Sequence, residues 1–356
     1  MVVRVAVIGG GKFGTNHLKT FKQLEYMGRA ELVALADINP KVLEEQCKAF
    51  EVKGYTSYRE MLDKEELDAV TVVTPDHLHR EIAVHVAETG KHILVEKPLD
   101  VTVEGCTEII EAASGNNLLL QVDFHKRFDP DHVALKKAIE DGRLGNIEYG
   151  YAWMEDTIEI PSKWFPGWAP KSSPAWFLGI HYYDLVGWLL SSTATRVYAT
   201  GIKSKLQKMG VDTYDSIQAK VEFKNGASVF FDTSWILPER FEAVVNQGLR
   251  LVGSEGFWEV DAQNRGVEAC TNVEGMRTFN NHFIREERDK LERAVFKGYG
   301  ITSIEDFIVN IELLKQGCSI QDLHGKYASG EEGREATRIA VAVHKSVKEQ
   351  AIVPVI

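Results

Sequence analysis

The chain has 356 residues, 44% hydrophobic and 26% charged, the profile of a globular protein with room for two domains. A formal net charge of −11 without any basic run excludes electrostatic attachment to nucleic acid or to an anionic membrane. No stretch approaches the ~20 apolar residues of a membrane span. Cys47, Cys106, Cys270 and Cys318 are scattered, form no disulfide framework and fit a reducing cytoplasm. His77 and His79 lie two apart but have no third ligand at metal spacing, so no metal is expected.

The opening MVVRVAVIGG reads as a strand rather than a secretory leader. Residues 2–8 form an apolar run that stops in glycine, the pattern of a buried parallel strand. Phe13, His17, Leu18, Phe21 and Leu24 follow at helical spacing. Gly9-x-Gly11-x-x-Gly14 therefore lies between a strand and a helix, the setting a dinucleotide fingerprint requires. Gly9 permits the tight turn, Gly11 lets the backbone approach a pyrophosphate, and Gly14 lets helix and sheet pack closely. Lys12 and Phe13, inside the loop, join the expected cofactor contacts.

A second strand, Leu32–Ala36, ends in Asp37, whose carboxylate suits the adenosine ribose hydroxyls and repels a 2′-phosphate. No arginine follows, so NAD is expected over NADP; Asp37 also reads as a cap for the helix starting near Pro40. Strands at Ala69–Val73, His92–Val95 and Leu118–Val122 alternate with helices, which predicts a doubly wound parallel sheet. Gly9, Asp37, Thr74, Lys97 and Asp123 all fall at strand carboxyl ends, where such sheets bind ligands. Lys97, between a buried strand and Pro98, is held extended. On position alone it is either a surface loop lysine or a donor to a reacting oxygen.

Three motifs in register carry a resemblance: GGGKFG, then Thr74-Pro75-x-x-x-His79, then Gly90-Lys91-His92-x-x-x-Glu96-Lys97-Pro98. They resemble the glucose–fructose oxidoreductase/inositol dehydrogenase (Gfo/Idh/MocA) family across the whole nucleotide half. The resemblance implies an NAD-dependent oxidoreductase acting on a sugar, sugar derivative or cyclitol. Thr74, Pro75, His79 and Glu96 are then expected around the cofactor, with Lys97 polarising the reacting hydroxyl. It also implies a C-terminal α+β domain on a large, mainly antiparallel sheet that makes a homodimer or homotetramer. The expected domains are 1–123 and 124–356.

Strands are predicted at Gly145–Trp153, Val197–Ile202, Ser216–Phe223, Ala227–Thr233, Arg250–Gly253 and Phe257–Val260. Helices are predicted at Asp131–Glu140, Tyr182–Leu190, His282–Phe296, Ser303–Leu314 and Glu331–Glu349. Asn225-Gly226 reads as a hairpin turn. Gly179-x-His181-x-x-Asp184 resembles the family's G-x-H-x-x-D, in which the histidine takes the hydroxyl proton; imidazole suits that step. Asp184 either orients His181 or pairs structurally. Where the family often has an aspartate, four residues before this histidine, the chain has Phe177. The aromatic-rich stretch 149–188 includes Trp164, Trp168 and Tyr182, rings that suit sugar C–H faces or a core. Arg127-Phe128 resembles the family's R-F/Y at the domain crossing, with Arg127 facing substrate or an ion pair. Two other functions fit the same motifs: a glycoside-cleaving enzyme that retains NAD through transient oxidation and elimination, and a non-catalytic NAD-binding regulator.

Overall fold

The fold is taken from a computed structural model that describes residues 2–356. β1 (Val3–Ile8), α1 (Gly14–Tyr26) and β2 (Ala30–Ala36) form the first strand–helix–strand unit. α2 (Pro40–Phe50) starts with Pro40 in its first turn, and the Asn39 side chain accepts from the Lys41 N–H (3.1 Å). β3 (Lys53–Tyr55), α3 (Tyr58–Lys64), β4 (Ala69–Val72), α4 (His79–Glu88), β5 (His92–Val95), α5 (Val103–Gly115) and β6 (Leu120–Val122) complete the alternation. The six strands are all parallel in the order β3-β2-β1-β4-β5-β6. The order reverses between β1 and β4, which opens a crevice at their carboxyl ends. This is the doubly wound sheet expected from the alternating runs.

α6 (Pro130–Glu140) leads into β7 (Ile147–Thr157), α7 (Ile180–Leu190), β8 (Ala194–Ile202) and the short α8 (Lys205–Lys208). β9 (Ser216–Phe223), β10 (Ser228–Leu237), β11 (Val245–Gly253) and β12 (Gly256–Asp261) follow, then a small hairpin, β13 (Glu268–Thr271) with β14 (Gly275–Thr278). The chain continues as a second hairpin, β15 (Arg285–Arg288) with β16 (Ala294–Lys297), then α9 (Tyr299–Lys315), α10 (Gly330–Glu349) and β17 (Val353–Pro354). The large sheet runs β12-β11-β7-β10-β9-β8-β17. Its pairs are antiparallel except β7 with β10, so it is mainly antiparallel as expected. The β9–β10 turn does sit at Asn225-Gly226, with Gly226 at φ +93°.

The helix expected over His282–Phe296 is a hairpin instead. Asp289 closes it: Oδ1 accepts from the N–H groups of Leu291 (2.7 Å) and Arg293 (3.0 Å). Arg285 and Glu287 then meet at i,i+2 on one strand face, and Lys297 reaches Glu287 across the pair.

The chain divides into two compact units that do not follow a single cut. One holds the chain up to Phe128 together with Phe283–Arg334; the other holds Asp129–His282 and Glu335–Ile356. Apolar packing explains the return. Ile304, Phe307, Ile308 and Ile311 of α9 enter the same core as Val3, Val5 and Val7 of β1 and Leu18, Phe21 and Leu24 of α1. The Gln23 amide pins the second hairpin beside that helix, bonding the Phe296 carbonyl (3.1 Å) and N–H (2.6 Å).

In the second unit the two faces of the large sheet differ. On one face Tyr183 of α7 packs edge-on to Phe231 (5.1 Å between centroids). On the other, cross-strand register builds a row of Arg250, Tyr151, Phe230, Lys220 and Tyr198. Tyr151, Phe230 and Tyr198 are 45%, 41% and 46% exposed.

Candidate active site

The glycine loop follows β1. A Cβ on Gly14 would lie 2.0 Å from the Gly9 carbonyl oxygen, and one on Gly9, at φ +102°, would lie 2.3 Å from the Val73 oxygen. Both positions are closed by backbone. A Cβ on Gly11 would meet nothing within 4 Å. The open space above Gly11, at the N-terminal end of a 13-residue helix, is a cradle that a phosphate fits and a side chain would fill. Asp37 stands at the end of β2, where Oδ2 accepts from Gly10 N–H (2.7 Å) and Oδ1 from Asn39 N–H (2.8 Å). Asn39, not Asp37, is the cap of α2; the Asp37 carboxylate is tied to the glycine loop instead. These residues fit a dinucleotide.

His79 is buried, with Nδ1 2.8 Å from the Pro98 oxygen and Nε2 2.9 Å from the Thr74 oxygen. Its ring therefore ties the Thr74-Pro75 loop to the loop after β5, so it shapes the crevice through backbone. Lys97 follows β5, is 9% exposed and places Nζ 5.9 Å from the Phe13 ring centroid. The Lys97–Pro98 peptide is cis. Glu96 turns back so that Oε2 accepts from the Lys97 N–H (3.2 Å), while Oε1 lies 3.3 Å from His17 Nε2. Arg127, in the turn after β6, pairs with Glu332 (2.7 Å) inside the first unit.

In the second unit, His181 sits in the first turn of α7 and is 5% exposed. A π-helical turn, Ala175–Gly179, precedes it, an irregularity common near functional groups. Ser173 holds that turn in place. The Ser173 hydroxyl donates to His344 Nε2 (2.7 Å), whose Nδ1–H faces the Ala340 carbonyl (2.7 Å). Burial keeps the His344 imidazole pKa low, so the ring is neutral and able to accept. Trp176 stacks on the same ring (5.5 Å). Gly179 is required by closeness: a Cβ there would be 2.8 Å from the Tyr183 ring.

Tyr182 and Asp184 are buried beside His181 in sequence. Phe177 joins an aromatic cluster, 5.3 Å from Trp168 and 6.2 Å from both Phe165 and Trp235. Phe177, where the resemblance leads one to expect an aspartate, is thus part of an apolar cluster with Leu178, Leu206 and Ile158. Trp164 stays exposed. Sequence reasoning missed His17 and Asp123 as members of the Glu96 environment. His17 was legible only as one of a stripe of buried helix positions, and the stripe concealed it.

Comparison with known proteins decides the family. A model described as the oxidoreductase family with NAD-binding Rossmann fold matches residues 3–124, and the Gfo/Idh/MocA C-terminal domain matches residues 132–259. The chain belongs to the Gfo/Idh/MocA family. As a member it is an NAD-binding oxidoreductase. It is similar to myo-inositol 2-dehydrogenase of Thermotoga maritima, 26% identical over 98% of this chain and 97% of that one. It is also 28% identical to inositol 2-dehydrogenase of Rhizobium meliloti, over 98% of both chains. Scyllo-inositol dehydrogenase of Lactobacillus casei, solved with NAD(H) and scyllo-inositol, shares the fold with a TM-score of 0.81 at 17% identity, covering 100% of this chain and 99% of that one. No helix among the described residues is long and apolar enough to cross a membrane.

Proposed function

We propose that this protein oxidises a secondary hydroxyl of a cyclitol, sugar or sugar derivative. The carrying observation is Lys97, a lysine only 9% exposed at the carboxyl end of β5, next to Phe13 of the glycine loop. Full-length likeness to inositol dehydrogenases supports the substrate class. Bound NAD+ supplies the hydride acceptor. Gly9, Gly11, Lys12, Phe13 and Gly14 hold its pyrophosphate end, and Asp37 takes the adenosine ribose. Ile38, 85% exposed beside Asp37, offers the adenine an apolar surface. Thr74, Pro75, Glu96 and Lys97 border the reacting end, with His79 fixing their loops. Lys97 donates a hydrogen bond to the reacting hydroxyl and His181 accepts its proton. Arg127, Trp164, Phe177, Tyr182 and Asp184 are assigned lesser parts in substrate binding, and for Phe177 the packed cluster makes that part indirect.

The test is NADH formation with a panel of inositols, hexoses and glycosides. NAD is expected to be used in preference to NADP because the Asp37 carboxylate repels a 2′-phosphate. Absence of turnover across the panel despite NAD binding sinks this reading. Release of sugar from a glycoside without net NADH replaces it with the NAD-retaining cleavage reaction.

The exposed row Tyr151, Phe230 and Tyr198 is assigned to a second copy of this chain, since Tyr151 and Phe230 stack side by side (5.7 Å) and Tyr198 stands exposed beyond Lys220 on the same face. Sedimentation of Tyr151→Asp/Phe230→Asp is expected to show monomer where the parent chain shows dimer or tetramer. Unchanged mass rejects the assignment. The four free cysteines suit a reducing cytoplasm.

A further inference from the structure

The first unit contains a buried cluster in which only Glu96 has been given a part so far, at the border of the cofactor site. His17 of α1, Glu96 after β5 and Asp123 after β6 meet in the interior. His17 Nε2 lies 3.3 Å from Glu96 Oε1 and 3.8 Å from Asp123 Oδ2. Neither His17 Nδ1 nor Asp123 Oδ1 has a hydrogen-bond partner. Two carboxylates this close in a medium of low polarity cannot both ionise, so they share a proton. Burial and the neighbouring Glu96 charge push the Asp123 carboxyl well above the ordinary range. Burial acts on Glu96 in the same direction, but the hydrogen bond from His17 and the nearby Lys97 charge outweigh it and draw that carboxyl down. The other groups facing the cluster are His125, from the turn after β6, and Ser303 of α9. The cluster therefore holds one negative charge, sited on Glu96, and Glu96 Oε2 also accepts from the Lys97 backbone N–H. A divalent cation is a poorer occupant than the shared proton, because the Lys97 ammonium opposes it.

We propose that His17, Glu96 and Asp123 are positioning residues that share a single negative charge and so keep Lys97 in place as an ammonium donor. This rests on the role given to Lys97 above. His17 Nε2–H fixes Glu96 as the ionised partner. If Glu96 is neutralised, Asp123 gives up its proton and takes over the charge. The two carboxylates thus replace one another, and only their joint loss uncovers Lys97.

Glu96→Gln, Asp123→Asn and the double variant test this in the full chain. Competitive acetylation of the Lys97 amine across pH, read by mass spectrometry, needs no substrate. The alkaline limb of kcat/KM on a polyol that the parent enzyme turns over is the second readout. Each single variant is expected to move the Lys97 midpoint by less than about half a pH unit. The double variant is expected to lower it by roughly one unit, about tenfold in free amine at a given pH. An unmoved midpoint in the double variant overturns the proposal, and so do two single shifts that simply add. In the parent protein, carboxyl-13C spectra should show one of the two acids protonated at pH 7. Two ionised carboxylates there overturn the proposal even if no variant folds. A shifted midpoint without any polyol turnover rejects the oxidoreductase reading and keeps the shared charge. Normal turnover with an unmoved midpoint does the reverse.

Discussion

Replacing Lys97 by methionine is expected to cut kcat/KM for polyol oxidation by about 10²–10⁴-fold, the usual worth of a positioned proton or hydrogen-bond donor. Methionine keeps the length and apolar stem, so the Phe13 contact keeps a packing partner while the charge is lost. The loss should appear in kcat as well as KM, because a donor to the reacting oxygen gains strength as negative charge develops there. His181→Gln is expected to lose a similar factor through the missing base. Steady-state kinetics on a substrate found by the panel checks both. Turnover of either variant within tenfold of the parent removes that residue from the chemistry.

The second large effect separates two glycines three residues apart. Gly14→Ala drives a methyl group to 2.0 Å from the Gly9 carbonyl, where backbone and not a yielding side chain stands in the way. Overpacking of this kind costs about 1–3 kcal/mol, which lowers Tm by several degrees for a chain of this size. Gly11→Ala meets nothing within 4 Å, so its Tm should match the parent while its NAD affinity falls by about tenfold or more. Scanning calorimetry with and without NAD distinguishes them. Equal melting temperatures for the two variants contradict the geometry of the loop.

The parallel sheet was legible because its strands are short apolar runs that stop at Gly9, Asp37 and Glu96, each at a carboxyl end. The hairpin at 285–297 was not. Its charged run Arg285-Glu286-Glu287-Arg288-Asp289-Lys290 shows no strand alternation, and the deciding group is Asp289, whose carboxylate gathers two backbone N–H groups only once the turn exists. The fate of Phe177 was also hidden. A phenylalanine in place of an acid reads as a gap in chemistry, yet its meaning depends on Trp168, Phe165 and Trp235, residues up to 58 positions away that only tertiary structure assembles. His17 is the opposite case: its position in an apolar stripe was correct, and the stripe masked the polar contact to Glu96.

α9 comes from beyond residue 298 to fill the core built on β1 and α1. The core that holds Phe21 and Leu24 is therefore complete only once α9 has been made, after most of the second unit. A chain cut after residue 128 would lack the α9 side of that core.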